Sequence, residues 1–141
     1  MTIFSGGRPA IALVDDDYHS ARLMTRMLEA HGAPAIARLP DPEIALDALA
    51  DAPADQRMAV VDLKSSSAAT HDFIVALKQR TPEMLVVAMA PSLDRDIRDR
   101  LLDAGASAVF ERHADITLYR REVASLVAFW VRNQRLDAVG T

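Results

Sequence analysis

Short apolar runs that stop at a carboxylate or a turn, each followed by a helical pattern, recur down the whole chain and restrict it to repeated strand-helix units. The first run, Ala10 to Val14, halts at Asp15-Asp16-Asp17 before a helix expected over about Tyr18 to His31, with Gly32 where a left-handed cap sits. A second unit follows: Pro34 to Leu39 as a strand, then Asp41-Pro42 as N-cap and first helical position ahead of Glu43 to Leu49. The polar, proline-bearing stretch from Asp51 to Arg57 reads as a loop, and Met58 to Val61 as a third strand that delivers Asp62 at its C-terminal end. A helix opens at Thr70 or His71 and runs to about Arg80, where Thr81-Pro82 ends it. Strand four is expected over Met84 to Ala90. Pro91-Ser92 is read as the start of a helix to Ala104 with an apolar stripe of Leu93, Ile97, Leu101 and Ala104, closed by Gly105. Ser107 to Phe110 is a short fifth strand, and a last helix covers roughly Asp115 to Leu136.

Five short apolar strands, each followed by a helix, imply right-handed crossovers and an α/β fold, because parallel strands need such connections and are buried on both faces. The expected architecture is a five-stranded parallel sheet in the flavodoxin-like order 2-1-3-4-5, doubly wound with five helices. Ligand sites in such sheets lie outside the carboxyl ends of the strands, where strands 1 and 3 sit side by side. Asp15, Asp16 and Asp62 are expected to meet there. The 141 residues suit one domain, large enough to bury roughly two thirds of its extended surface. Residues 1–8 are expected to be a flexible N-terminal segment, 9–136 the domain and 137–141 a C-terminal tail.

Half the residues are hydrophobic and 26% are charged, which excludes disordered and low-complexity classes. The 16 basic residues are interleaved with acids in a chain of net charge -4, so no stripe marks a nucleic-acid binder. With no cysteine there are no disulfides, thiolate metal sites or cysteine nucleophiles, and a reducing, cytoplasmic setting is expected. No stretch approaches the roughly 20 continuous apolar residues of a membrane helix, so no membrane partner is expected.

Carboxylates gathered at one sheet end repel one another, and a hard cation resolves the conflict. Magnesium, or another divalent cation, suits oxygen ligands and a phosphate. The plainer alternative is that Asp16 or Asp17 caps the first helix and Asp62 opens a turn.

On these residues the chain resembles the receiver domain of two-component response regulators, over about residues 9 to 132. The family's acidic pair after strand 1 matches Asp15-Asp16 in IALVDDDY, its phosphoacceptor matches Asp62 in MAVVDLK, and its AGA turn matches Ala104-Gly105-Ala106. The resemblance implies that Asp62 takes a phosphoryl group from a histidine kinase or phosphotransfer protein. It also implies that Asp15, Asp16, Asp62 and the backbone carbonyl of Lys64 hold Mg2+. Such a metal neutralises the carboxylates and offsets charge on the transferring oxygens.

The chain departs from the family at several switch positions. Fifteen residues before Gly105 the family's hydroxyl residue falls on Ala90, removing one charge-assisted hydrogen bond of about 1.5–3 kcal/mol. Seven after Gly105 the family's lysine falls on Arg112, a planar fork on a longer stem, expected to bind the phosphoryl group in its place. The following proline is His113, so no cis peptide is expected there. The aromatic switch position is Val109, and the loop's usual proline and glycine are Ser66 and Thr70. Phosphorylation of Asp62 is therefore expected to be slow or weakly coupled to conformation.

Other motifs carry less. A haloacid-dehalogenase-type phosphatase would need a second aspartate where Lys64 stands. The four histidines show no metal spacing, Ser65-Ser66-Ser67 has no nucleophile-elbow glycines, and Gly6-Gly7 precedes a strand instead of following one. In the last helix Ile116, Tyr119, Val123, Leu126, Val127 and Trp130 share one face expected to pack on the sheet. Leu118, Phe129 and Leu136 lie elsewhere, as scattered surface residues or as a partner face. The resemblance places a possible homodimer on the surface of helix 4, strand 5 and helix 5. The expected function is a stand-alone response regulator receiver, a phosphoacceptor or relay that signals to a downstream protein by contact and not an enzyme in the ordinary sense. The alternative is a pseudo-receiver that works as a phosphorylation-independent interaction module.

Overall fold

The computed structural model describes residues 10–51 and 57–140, with the side chains of 57 and 135–140 outside that description. In chain order the elements are β1 (Ala10–Asp15), α1 (Tyr18–Ala30), β2 (Ile36–Leu39), α2 (Pro42–Ala50) and β3 (Arg57–Asp62). They continue with α3 (Ala69–Arg80), β4 (Leu85–Ala90), α4 (Arg95–Ala104), β5 (Ala108–Glu111) and α5 (Ile116–Gly140). The five strands form one sheet in the order β2-β1-β3-β4-β5, with every neighbouring pair parallel. This is the doubly wound α/β arrangement that the alternation of apolar runs and helices predicts.

Continuous apolar strands work here because both faces of the sheet are covered. Ala12, Val14, Ala59, Val61, Val86 and Ala88 face one way, against α2, α3 and α4 through Leu49, Phe73, Ile74, Leu77 and Leu101. Ile11, Leu13, Met58, Val60 and Val87 face the other way, against α1 and α5 through Met24, Leu28, Val123 and Leu126. Each large apolar side chain fully removed from water contributes about 1.5–3 kcal/mol of gross transfer energy.

Aspartates set the starts of α1, α2, α4 and α5, whereas α3 begins after Ala68 with no side-chain cap. Asp17 Oδ1 accepts from His19 N and Ser20 N, Asp41 Oδ1 from Glu43 N, Asp94 Oδ1 from Ile97 N, and Asp115 Oδ1 from Thr117 N and Leu118 N. Asp94 corrects the expected start of α4. Pro91-Ser92 lies in the preceding loop, and Leu93, whose amide donates to Glu111 Oε1, is 44% exposed instead of heading the buried stripe. α4 ends at Gly105, whose φ of +123° only glycine adopts readily, and a Cβ there would meet Lys78 Cγ at 2.6 Å. The α5 helix runs to Gly140, beyond Leu136.

Candidate functional site

The parallel register of β1 and β3 pairs Asp15 with Asp62 at the last rung of the ladder, so backbone geometry alone brings two carboxylates side by side. Both side chains are fully buried. The Lys64 ammonium closes the space between them: Nζ is 2.9 Å from Asp15 Oδ1 and 3.2 Å from Asp62 Oδ2, and it donates to the Asp62 carbonyl at 3.0 Å. On the other side Arg112 Nε is 3.1 Å from Asp62 Oδ1. The two oxygens of Asp62 thus each face a cation.

The remaining acids of the DDD run have other work. Asp16 accepts from the Lys64 and Ser65 amides, Oδ1 at 2.9 Å and Oδ2 at 3.0 Å, which ties the end of β1 to the loop after β3. Asp17 is the N-cap of α1, and the Ser20 amide lowers its pKa below the ordinary carboxylate value. The capping role belongs to Asp17, therefore, and Asp16 serves as a loop clamp. Asp15 Oδ1 also accepts from Asp17 N at 2.9 Å.

The residues read as departures from the family lie around these strand ends. Arg112 N donates to Ala90 O at 2.8 Å, which holds the loop after β5 against the end of β4. Ala90 is buried and offers only a methyl group, and Val109 is half-buried against the α3–α4 side of the core. Thr70 is buried: its hydroxyl accepts from Leu63 N at 3.0 Å and stands 3.3 Å from Leu63 O, to which it donates. This pair fixes the turn from which Lys64 reaches back.

Burial pushes the Asp62 carboxyl above its ordinary pKa, against the pull of Lys64 and Arg112, and neighbouring Asp15 adds to the rise. The Tyr119 phenol of α5 is also pushed up, first by burial and then by the charge of Asp62. Its hydroxyl is buried with no hydrogen-bond partner among the described residues.

Asp15 Oδ2 and both Asp62 oxygens accept no hydrogen bond among the described residues, a donor set that suits a divalent cation, but in this arrangement the Lys64 ammonium stands among them. Lys64 takes Asp15 Oδ1 and faces Asp62 Oδ2, and both Asp16 oxygens are bound to backbone amides. An ion placed between Asp15 and Asp62 would stand against an ammonium group, a repulsion that grows as the dielectric falls. Among the described residues no group of three His, Cys, Asp or Glu has the disposition to hold a metal.

Of the expected interface residues, Leu118 is 46% exposed, whereas Phe129 is half-buried and packs edge-on against Phe110 with ring centroids 6.4 Å apart. Leu136 falls outside the described side chains. Ile116, expected on the packed face, is 42% exposed. No helix of the described residues is long and apolar enough to cross a membrane. Three features had no sequence reading: the Lys64 side chain, the Thr70 hydroxyl and a cluster around His113. Its Nδ1 lies 3.0 Å from Glu111 Oε2 and its Nε2 3.4 Å from Glu122 Oε2. Only the Lys64 position carried a signal, a cation two residues beyond a strand-end acid.

No protein-family model and no curated protein sequence matches the chain. Solved structures do. The response regulator receiver domain from Rhodospirillum rubrum superposes with a TM-score of 0.72 at 19% identity, covering 86% of this chain and 93% of that one. The Mn2+-bound form of response regulator Rcp1 gives 0.70 at 18%, covering 86% and 94%. A putative pilus assembly protein from Burkholderia thailandensis E264 gives 0.69 at 13%, covering 90% and 98%. The strand order, the acids at the ends of β1 and β3, and these neighbours together give this chain the fold of response regulator receiver domains.

Proposed function

We propose that this chain is a signalling module of the receiver type that works by protein contact, with its strand-end acids neutralised by its own side chains. The reading rests on the Lys64 ammonium, which occupies the space between Asp15 and Asp62 that a divalent ion would otherwise take. A phosphoryl donor approaching Asp62 meets Lys64 and Arg112 first, since the carboxylate has no exposed surface. In-line attack needs the nucleophile about 3–3.5 Å from phosphorus, an approach these two side chains cover. Ala90 and Val109 remove the hydroxyl and the aromatic ring that would report a phosphoryl group. Contact-based output suits the exposed Leu93, Ile116 and Leu118 on the side of α4, β5 and α5, where a downstream protein or a second copy would dock.

The second reading keeps Asp62 as phosphoacceptor, charged by a histidine kinase or phosphotransfer protein. Mg2+ would then be held by Asp15, Asp16, Asp62 and the Lys64 carbonyl, with Arg112 on the phosphoryl oxygens. It is favoured by the Asp62 oxygens, which accept no hydrogen bond among the described residues, and by a lysine stem long enough to swing aside.

Intact mass after incubation with acetyl phosphate and Mg2+ separates the two. Contact signalling expects no phosphoryl gain in the wild type. A gain in the wild type that Asp62→Asn abolishes overturns it in favour of the phosphoacceptor.

A further inference from the structure

A cavity of about 670 Å³ opens beside the acidic pair, between α3 and α4 at the strand ends. Its apolar lining comes from Leu63, Met89, Ile97 and Leu101, and the methyl of Ala90 leaves the space between them unfilled. The volume lies in the range of small-molecule sites, and the place is where open parallel sheets take ligands.

The charge of the lining is one-sided. Lys64, His71, Arg100 and Arg112 line the cavity, and no carboxylate does, in a chain whose net charge is -4. Three of these have acidic partners already: Lys64 faces Asp15 and Asp62, Arg112 faces Asp62, and His71 faces Asp72. Arg100, exposed on α4, makes no ion pair among the described residues. The cavity therefore carries one uncompensated positive charge beside an apolar floor.

We propose that this cavity binds a small amphipathic monoanion. Its aliphatic or aromatic body would lie on Leu63, Met89, Ile97 and Leu101, and its single carboxylate or sulfonate would turn to Arg100. A planar guanidinium can give such an anion two parallel N–H bonds. A dianionic phosphate or a nucleotide would bring more negative charge than one free arginine balances. An uncharged body would gain nothing from Arg100. The site stands under either reading of Asp62, since Arg100 belongs to neither.

The test uses the full chain with anilinonaphthalenesulfonate as fluorescent probe, decanoate as competing monoanion and decanol as its uncharged counterpart. The expected result is saturable binding of one probe per chain with an unchanged near-ultraviolet circular dichroism spectrum, which separates it from probe uptake by a loosened core. Decanoate displaces the probe and decanol does so at least tenfold less well. Arg100→Glu weakens binding by about tenfold or more, the loss of one ionic hydrogen bond. Ala90→Leu fills the cavity and abolishes binding. Should Ala90→Leu fail to fold, Ser67→Trp fills the mouth from the loop and is expected to do the same. The proposal is overturned by non-saturable binding, by unchanged affinity in Arg100→Glu, by equal competition from decanol, or by full binding in the filled variant.

Discussion

Lys64 reaches across the boundary between β3 and β1 to place its ammonium 2.9 Å from Asp15 Oδ1, a carboxylate 49 residues earlier in the chain. Its own backbone amide is meanwhile held by Asp16, the next residue along. One residue of the loop after β3 is thus gripped through its side chain by Asp15, the last residue of β1, and through its main chain by Asp16, just beyond the strand. The grip explains why two fully buried carboxylates on adjacent strands are tolerated.

Lys64→Met keeps the length of the side chain and removes the charge, leaving Asp15 and Asp62 facing each other. Removing one partner of a buried pair costs about 3–5 kcal/mol. Lys64 is 21% exposed, so water recovers part of the loss and about 2–3 kcal/mol is expected in urea unfolding. Adding Asp62→Asn should restore at least half of it. A single-variant loss under about 0.5 kcal/mol would show that the ammonium is not what holds the acids together.

Asp62 supplies a pH test of definite sign. Its folded pKa is raised, chiefly by burial, so the native state holds this proton more tightly than the unfolded chain does. Its contribution to stability is fully present below the unfolded value near about 3.9 and is lost as pH rises through the folded value. Unfolding free energies of wild type and Asp62→Asn, compared from about pH 6 down to about pH 4, should shift in favour of the wild type as pH falls. The opposite slope would mean that Lys64 and Arg112 outweigh burial.

Thr70→Val preserves shape and deletes the hydroxyl that both accepts from Leu63 N and donates to Leu63 O. It leaves a buried amide without its partner, at a cost of about 1–3 kcal/mol. Guanidinium unfolding measures the loss, and faster amide exchange at Leu63 locates it. Exchange at Leu63 as slow as in the wild type would contradict the assignment.

Gly105→Ala forces a side chain into a φ of +123° and onto Lys78 Cγ at 2.6 Å. Lys78 cannot yield freely, because its ammonium donates to Pro82 O at 2.7 Å and Met84 O at 2.9 Å. A loss of at least about 1 kcal/mol is expected, with a lower thermal midpoint. An unchanged midpoint would show that the turn relaxes without strain.

The strands and their order were legible because a sheet covered on both faces demands continuous apolar runs, and Asp15 and Asp62 mark where two of those runs stop. The start of α4 was not. Pro91-Ser92 has the composition of a helix start, yet Asp94 lies three residues before an amide its carboxylate can reach, and the local bond decides. The convergence of the acids was half legible. Strand register brings 15 and 62 together, whereas the direction of the Asp16 side chain and the backward reach of Lys64 depend on a loop conformation that apolar periodicity does not encode. Phe129 was misplaced for a similar reason: Phe110 at the edge of the sheet offers a ring to pack on, and helical spacing alone does not reveal it.

A dissolved ion fills its site only as far as its concentration allows, whereas the positive charge between Asp15 and Asp62 is tied to the chain two residues beyond β3. Its presence there is a matter of conformation and not of supply. On the contact-signalling reading proposed above, the end of this sheet would keep the same electrical character in a cell starved of magnesium as in one replete with it, and chelation would leave it untouched.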